Sequence, residues 1–209
     1  MWVRRVLERH HRPADRYAFT GSHIARRLLD AHGLEHVTVE VTEKGDHYDP
    51  ESRAVRLLPA NAEGRSLTAI TVAAHEVGHA LQHDDAYAPL MLRTSMVTWL
   101  APLERVGMVM MVLGPVVVAL TRIPHAGLIS ILGGLLVMGG STAVHLVTLP
   151  TELDASFGKA LPMLFRNDLV LPEDRPAARK ILLAAALTYV AASLMALLNV
   201  ARWWAVLRR

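Results

Sequence analysis

The chain of 209 residues has no cysteine. That excludes a disulfide framework and any thiolate metal site, and it fits every redox compartment. Aromatic residues make up only 5%. Charge is nearly balanced, with 22 Lys plus Arg against 19 Asp plus Glu. The arginines scatter through flanks and loops without interleaved aromatics, so a nucleic-acid partner has no support. Residues 1–16, Met-Trp-Val-Arg-Arg-Val-Leu-Glu-Arg-His-His-Arg-Pro-Ala-Asp-Arg, lack the apolar core of a secretory signal. Hydrophobic residues, by contrast, reach 52%, and the excess lies in the second half.

The most informative stretch is Thr71-Val72-Ala73-Ala74-His75-Glu76-Val77-Gly78-His79-Ala80-Leu81-Gln82-His83, which contains H-E-x-x-H. Leu67, Ile70, Ala74, Val77 and Leu81 step by three or four, which predicts a helix. Residues four apart sit one turn above each other, so His75 and His79 share the opposite face. Two imidazoles so placed can both bind Zn²⁺ at ~2.0–2.1 Å. Glu76 points beside such a metal, where it can take a proton from a zinc-activated water as general base. A polar stripe on a solvated helix would look similar. Here the flanks are small and apolar, and burying His-Glu-His among them is costly unless the groups are paired or metal-bound.

Zinc needs a third protein ligand. His83 lies two turns from His75, ~12 Å along the axis, too far to share its metal. Asp85 falls where a metzincin carries its last ligand, but Gln82 stands where that motif needs glycine. Glu152, in Leu149-Pro150-Thr151-Glu152-Leu153-Asp154-Ala155-Ser156, is the better candidate, since His₂Glu plus water is a common protease site. The pattern leaves Asp154 open beside it, either as ligand or as the group that orients a ligating imidazole.

These two motifs, together with Thr20-Gly21, Asp46-His47-Tyr48-Asp49-Pro50 and Ala184-Ala185-Ala186-Leu187-Thr188-Tyr189-Val190-Ala191-Ala192, resemble the neutral zinc metallopeptidases of bacterial membranes, the YugP type. The likeness runs from about residue 17 to about residue 198. It implies zinc held by His75, His79 and Glu152, with Glu76 catalytic, and a bacterial inner-membrane location. A hydrophobic anchor ahead of Thr20-Gly21, which the resemblance leads one to expect, is not present, and Phe157-Gly158-Lys159 replaces an arginine-rich continuation.

Elsewhere, Trp2, Val3, Val6 and Leu7 form a short amphipathic face among arginines, suited to an anionic membrane surface or to a frayed basic terminus. Residues 22–33 read as a helix opened by Gly21-Ser22 and closed by Gly33. His36 to Thr42 alternates, with Val37, Val39 and Val41 on one face, as a half-buried strand. Asp46 to Pro50 reads as a polar turn and Ser52 to Leu58 as a returning strand, which makes a β-hairpin. Its free edge would lay an extended peptide over the metal, and His47 or Tyr48 would either steady the oxyanion or only close the turn.

Three apolar stretches follow, at 96–120, 126–149 and 181–200. Each approaches the ~20 residues of a membrane span, the first only if Arg105 snorkels. His145 lies within the second and reads as a packing or interfacial histidine. Two crossings would return Glu152 to the side of His79, and the basic residues after Glu152 place that side in the cytoplasm. Whether 181–200 crosses stays open.

The expected architecture is therefore mainly α with a small β-hairpin, a zincin-like metal helix and transmembrane helices. It divides into a zincin-like part at 1–95, two membrane helices at 96–149, the third-ligand segment at 150–180 and an apolar helix with a basic tail at 181–209. The expected function is a multi-pass, membrane-embedded zinc endopeptidase that acts on peptide or protein substrates and has its active site at the cytoplasmic face of the lipid bilayer. The alternative is a catalytically inactive membrane protein with a structural zinc site. A metal transporter is disfavoured because the apolar stretches lack carboxylates.

Overall fold

A computed structural model describes residues 2–121, 133, 144 and 147–188. Two compact units emerge, one formed by Met1–Tyr87 with Leu149–Ala191, the other by Ala88–Thr148 with Ala192–Arg209.

The first unit is built around one helix. In chain order it contains α1 (Trp2–His10), α2 (Gly21–Ala31), strands β1 (Thr38–Val41), β2 (His47–Asp49) and β3 (Ala54–Leu57), the single turn α3 (Pro59–Ala62) and α4 (Leu67–Asp84). After the second unit's α5 (Ala88–Thr121), helical residues 147–153 lead into a π-helix (Asp154–Ala160). Then come α6 (Leu161–Arg166), a 3₁₀ turn (Pro172–Asp174) and α7 (Arg175–Ala186).

Ser66 starts α4, its hydroxyl accepting from the Ala69 amide at 3.1 Å, which satisfies one of the free first-turn donors. The helix ends where Ala86 takes a left-handed φ of 48°. Between these points it is buried on almost every side, because α2, α3, the sheet, the π-helix and α7 all pack against it. Leu28 and Leu29 of α2, Val55 and Leu57 of β3, Leu164 of α6 and Ile181 and Leu182 of α7 are all fully buried in this core. Each contributes roughly 1.5–3 kcal/mol by leaving water.

The sheet corrects the expected hairpin. Strand order is β1-β3-β2, with β1 parallel to β3 (Thr38↔Ala54) and β2 antiparallel to β3 (His47↔Arg56). The stretch expected to be a polar turn thus contains β2. The reversal comes later, where Asp49 Oδ1 accepts from the Glu51 amide at 2.9 Å and Arg53 adopts a φ of 51°. Arg56 on the central strand reaches Glu40 of β1 (2.9 Å) and Asp49 of β2 (2.5 Å), so one cation ties both outer strands to the middle one. Only Val39 of β1 is half-buried, and Val41 at its end is exposed.

Among the described residues no helix is long and apolar enough to cross a membrane, which overturns the transmembrane part of the expectation. The stretch at 96–120 lies in α5, where Glu104-Arg105 leave only the 15 residues from Val106 to Leu120 uncharged. At 1.5 Å per residue these cover ~22 Å, short of a ~30 Å hydrocarbon core. The start of the third stretch is apolar for a different reason: Ile181, Leu182, Ala184 and Ala186 of α7 are core residues of the first unit. Most of the second and third stretches, with His145, lies outside the described residues.

The α4 helix and the π-helix approach to backbone contact. A Cβ added at Gly78 would stand 2.6 Å from the Ala155 carbonyl oxygen. Alanine in a helix interior gains roughly 0.5–1 kcal/mol over glycine, but overpacking against backbone costs typically ~1–3 kcal/mol, so the clash wins. Gly78→Ala is expected to lower the urea unfolding midpoint; a raised midpoint would mean the two segments separate freely.

Candidate metal centre

Helical spacing puts His75 and His79 on one face of α4, with ring centroids 4.8 Å apart and nearly perpendicular. The opposing group comes from the far end of the chain. The helical residues 147–153 carry the Glu152 carboxylate to the two rings, where its Oε2 stands 3.3 Å from both His75 Nε2 and His79 Nε2. The three potential ligand atoms lie within 4.8 Å of one another, and all three residues are buried. This is the one His/Cys/Asp/Glu cluster of metal-binding geometry among the described residues.

The cluster fits a cation on its own chemistry. Glu152 is 1% exposed, and neither carboxylate oxygen receives a hydrogen bond. An ionised carboxylate in such a place is strongly unfavourable without a positive partner. The carboxylate and two imidazole nitrogens that face it are the hard and borderline donors that zinc takes.

Burial alone would raise the Glu152 pKa, but the neighbouring His75 and His79 rings outweigh it and hold the carboxyl well below the usual range. Burial would lower His79, and the adjacent Glu152 reverses that and raises it. Glu76, buried beside the ligand face, is pushed up by desolvation; His75 and His79 oppose the shift, while Glu152 and Asp46 reinforce it.

The other sequence candidates fall elsewhere. Asp85 pairs with Lys159 at the surface. His83 Nδ1 meets the Tyr48 hydroxyl at 2.8 Å, joining α4 to β2. His47 turns back on the Gly45 carbonyl at 2.8 Å. Asp154 lies outside the ligand triangle, and its Oδ2 accepts from Gln82 Nε2 at 2.8 Å.

Two contacts to the imidazoles come from residues that lie in the motifs without an assigned role. Gln82 Oε1 lies 3.0 Å from His79 Nδ1, and Ser156 Oγ lies 3.0 Å from His75 Nδ1. The only sequence signal for them is spacing: Gln82 follows His79 by three on one helix, and Ser156 follows Glu152 by four. Asp46, which the pattern marks only as a turn residue, also has a definite task. Its carboxylate accepts from the Leu58 amide and from Asn61 Nδ2, both at 2.8 Å, which fixes the start of α3.

Comparison with known proteins agrees with this chemistry. A family model described as "Putative neutral zinc metallopeptidase" matches residues 1–208. The chain is 36% identical over 193 residues to a Bacillus subtilis (strain 168) protein named "Putative membrane protease YugP", covering 88% of this chain and 79% of that protein. No solved structure matches.

The shifts set a pH dependence for chelator-treated protein. His79 is raised above its ordinary 6.5, so its contribution is full below that value and lost as pH rises through the folded one. Glu152 is lowered from its ordinary 4.5, so its contribution is present above that value and lost as pH falls through the folded one. Raised Glu76 adds to the loss at high pH, because its buried carboxyl must ionise. Metal-free protein should therefore resist urea better at about pH 5.5 than at about pH 8.5. Glu152→Gln should shrink that difference; an unchanged difference would remove the pair as its source.

Proposed function

The chain belongs to the neutral zinc metallopeptidase family, and we propose that it is a zinc-dependent endopeptidase with His75, His79 and Glu152 as ligands and Glu76 as general base. The observation that carries this reading is the buried convergence of two imidazole nitrogens on a carboxylate with no hydrogen-bond donor. Bound there, zinc supplies a Lewis acid that polarises a scissile carbonyl and lowers the pKa of water.

The chain's own residues do the rest. Glu76 takes a proton from the attacking water as its oxygen adds to the carbonyl carbon. It delivers that proton to the amine nitrogen as the C–N bond breaks. Burial holds the Glu76 carboxyl above its ordinary range in the metal-free chain, which favours a group that takes up a proton and later gives it back. A purely structural zinc site has no use for a buried acid in this position.

Substrate alignment falls to β2. Among the described residues it pairs with β3 on one side only, and Tyr48 seats it on α4 through His83. An extended peptide added to the free edge of β2 gains main-chain hydrogen bonds beside the metal helix. The membrane setting in the relative's name comes to this chain as association with a lipid bilayer. On α1 only the Trp2 end of the expected apolar face is half exposed among arginines, since Val6 and Leu7 pack against the core.

Glu76→Gln should keep stoichiometric zinc and lose roughly 10²–10⁴-fold in peptide hydrolysis, the usual worth of a general base. Loss of metal from a folded Glu76→Gln protein would make Glu76 a ligand and end its assigned role. Glu152→Ala should weaken zinc binding more than Asp154→Ala in a chelator titration; the reverse order would hand the third position to Asp154.

A further inference from the structure

Neither Gln82 nor Ser156 takes part in the chemistry above, yet each is fully buried against one imidazole. Their own donors settle what they offer it. The amide nitrogen of Gln82 donates to the Thr151 carbonyl and to Asp154 Oδ2, both at 2.8 Å. Both partners are acceptors, so the –NH₂ must face them and only Oε1 remains for His79 Nδ1, 3.0 Å away. An oxygen there can only accept, so Nδ1 of His79 carries the proton. The Ser156 hydroxyl is spent in the same way. It donates to the Leu182 carbonyl at 3.0 Å, leaving its oxygen to accept from His75 Nδ1.

We propose that Gln82 and Ser156 are positioning residues that hold both imidazoles, once neutral, in the Nδ1–H tautomer, so that the Nε2 atoms facing Glu152 are the ones left to bind a metal. This rests on the zinc reading of the same site. Gln82 has a second effect. It bonds the residues on either side of Glu152, Thr151 and Asp154, and so fastens the segment with the third ligand to the helix with the first two. Ser156 ties the π-helix to α7 at the level of His75. A neutral imidazole in water exchanges between tautomers. A site that has already chosen one avoids that cost when the ion binds.

The test is nitrogen-15 NMR of metal-free protein at alkaline pH, where the rings are neutral, paired with zinc affinity from chelator competition. Both rings should show the proton on Nδ1. Ser156→Ala should release His75 alone to the other tautomer and Gln82→Leu should release His79 alone, each weakening zinc about 10- to 100-fold. Gln82→Glu separates the two effects of Gln82. Its carboxylate still accepts from His79 and keeps the tautomer, but it cannot donate to Thr151 or Asp154, so zinc should weaken with the ring unchanged.

Protons on Nε2 in the wild-type rings would overturn the proposal, as would variants that leave both tautomer and affinity unaltered. Zinc bound with the expected tautomers but without peptide hydrolysis would support this proposal and count against the peptidase reading.

Discussion

A carboxylate with no hydrogen-bond donor, set against two imidazole nitrogens inside a buried core, is the constraint on which the rest of the first unit depends. Such a group is too unfavourable to be left alone at low dielectric. The surrounding structure holds it in place instead of letting it turn to water. Glu152 is fixed from both sides in sequence by the bonds of Thr151 and Asp154 to Gln82. The two rings are fixed by the 3.6-residue turn of α4.

That arrangement explains why α4 differs from an ordinary amphipathic helix. It has no solvent face over most of its length, since α2, the sheet, the π-helix and α7 cover it. Its polar residues are therefore interior residues, each needing a partner. Thr68 finds the Leu7 carbonyl of α1 at 2.9 Å, Gln82 finds three groups, and His75 and His79 find Ser156, Gln82 and Glu152. Gly78 belongs to the same requirement. Without a side chain it lets the π-helix approach to backbone contact, which brings Ser156 within reach of His75. The π-helix adds an extra residue to the turn at the point where the chain must serve the ligand cluster, a common placement for this strained geometry.

The sheet contributes an edge more than a core. Its outward face is stitched by Arg56 to Glu40 and Asp49, contacts that are partly solvent-exposed and individually weak. They do fix which strands are neighbours. The inward face, with Val55 and Leu57, joins the buried core beside α4. Among the described residues, the apolar character of two of the three stretches that resemble membrane spans has separate explanations. In α7 it fills the core beside α4. In α5 it is interrupted by charge before it reaches spanning length.

What the amino-acid sequence determines by itself is short in range. Within one helix, spacing is geometry, so the residue order alone is enough to put His75 and His79 on one face with Glu76 beside them. It also narrows the opposing carboxylate to Glu152 or Asp154. Separating those two required tertiary structure. Residues two apart on a helix point about 200° away from each other, and which one meets α4 depends on how the second segment docks. The parallel pairing of β1 with β3 was hidden for a similar reason, because alternation reports a strand but not its neighbour. The partners of the imidazoles were hidden most completely. Gln82 and Ser156 acquire their meaning from a carbonyl or carboxylate 26 to 72 residues away, and only the folded chain puts those acceptors where each side chain has one orientation left.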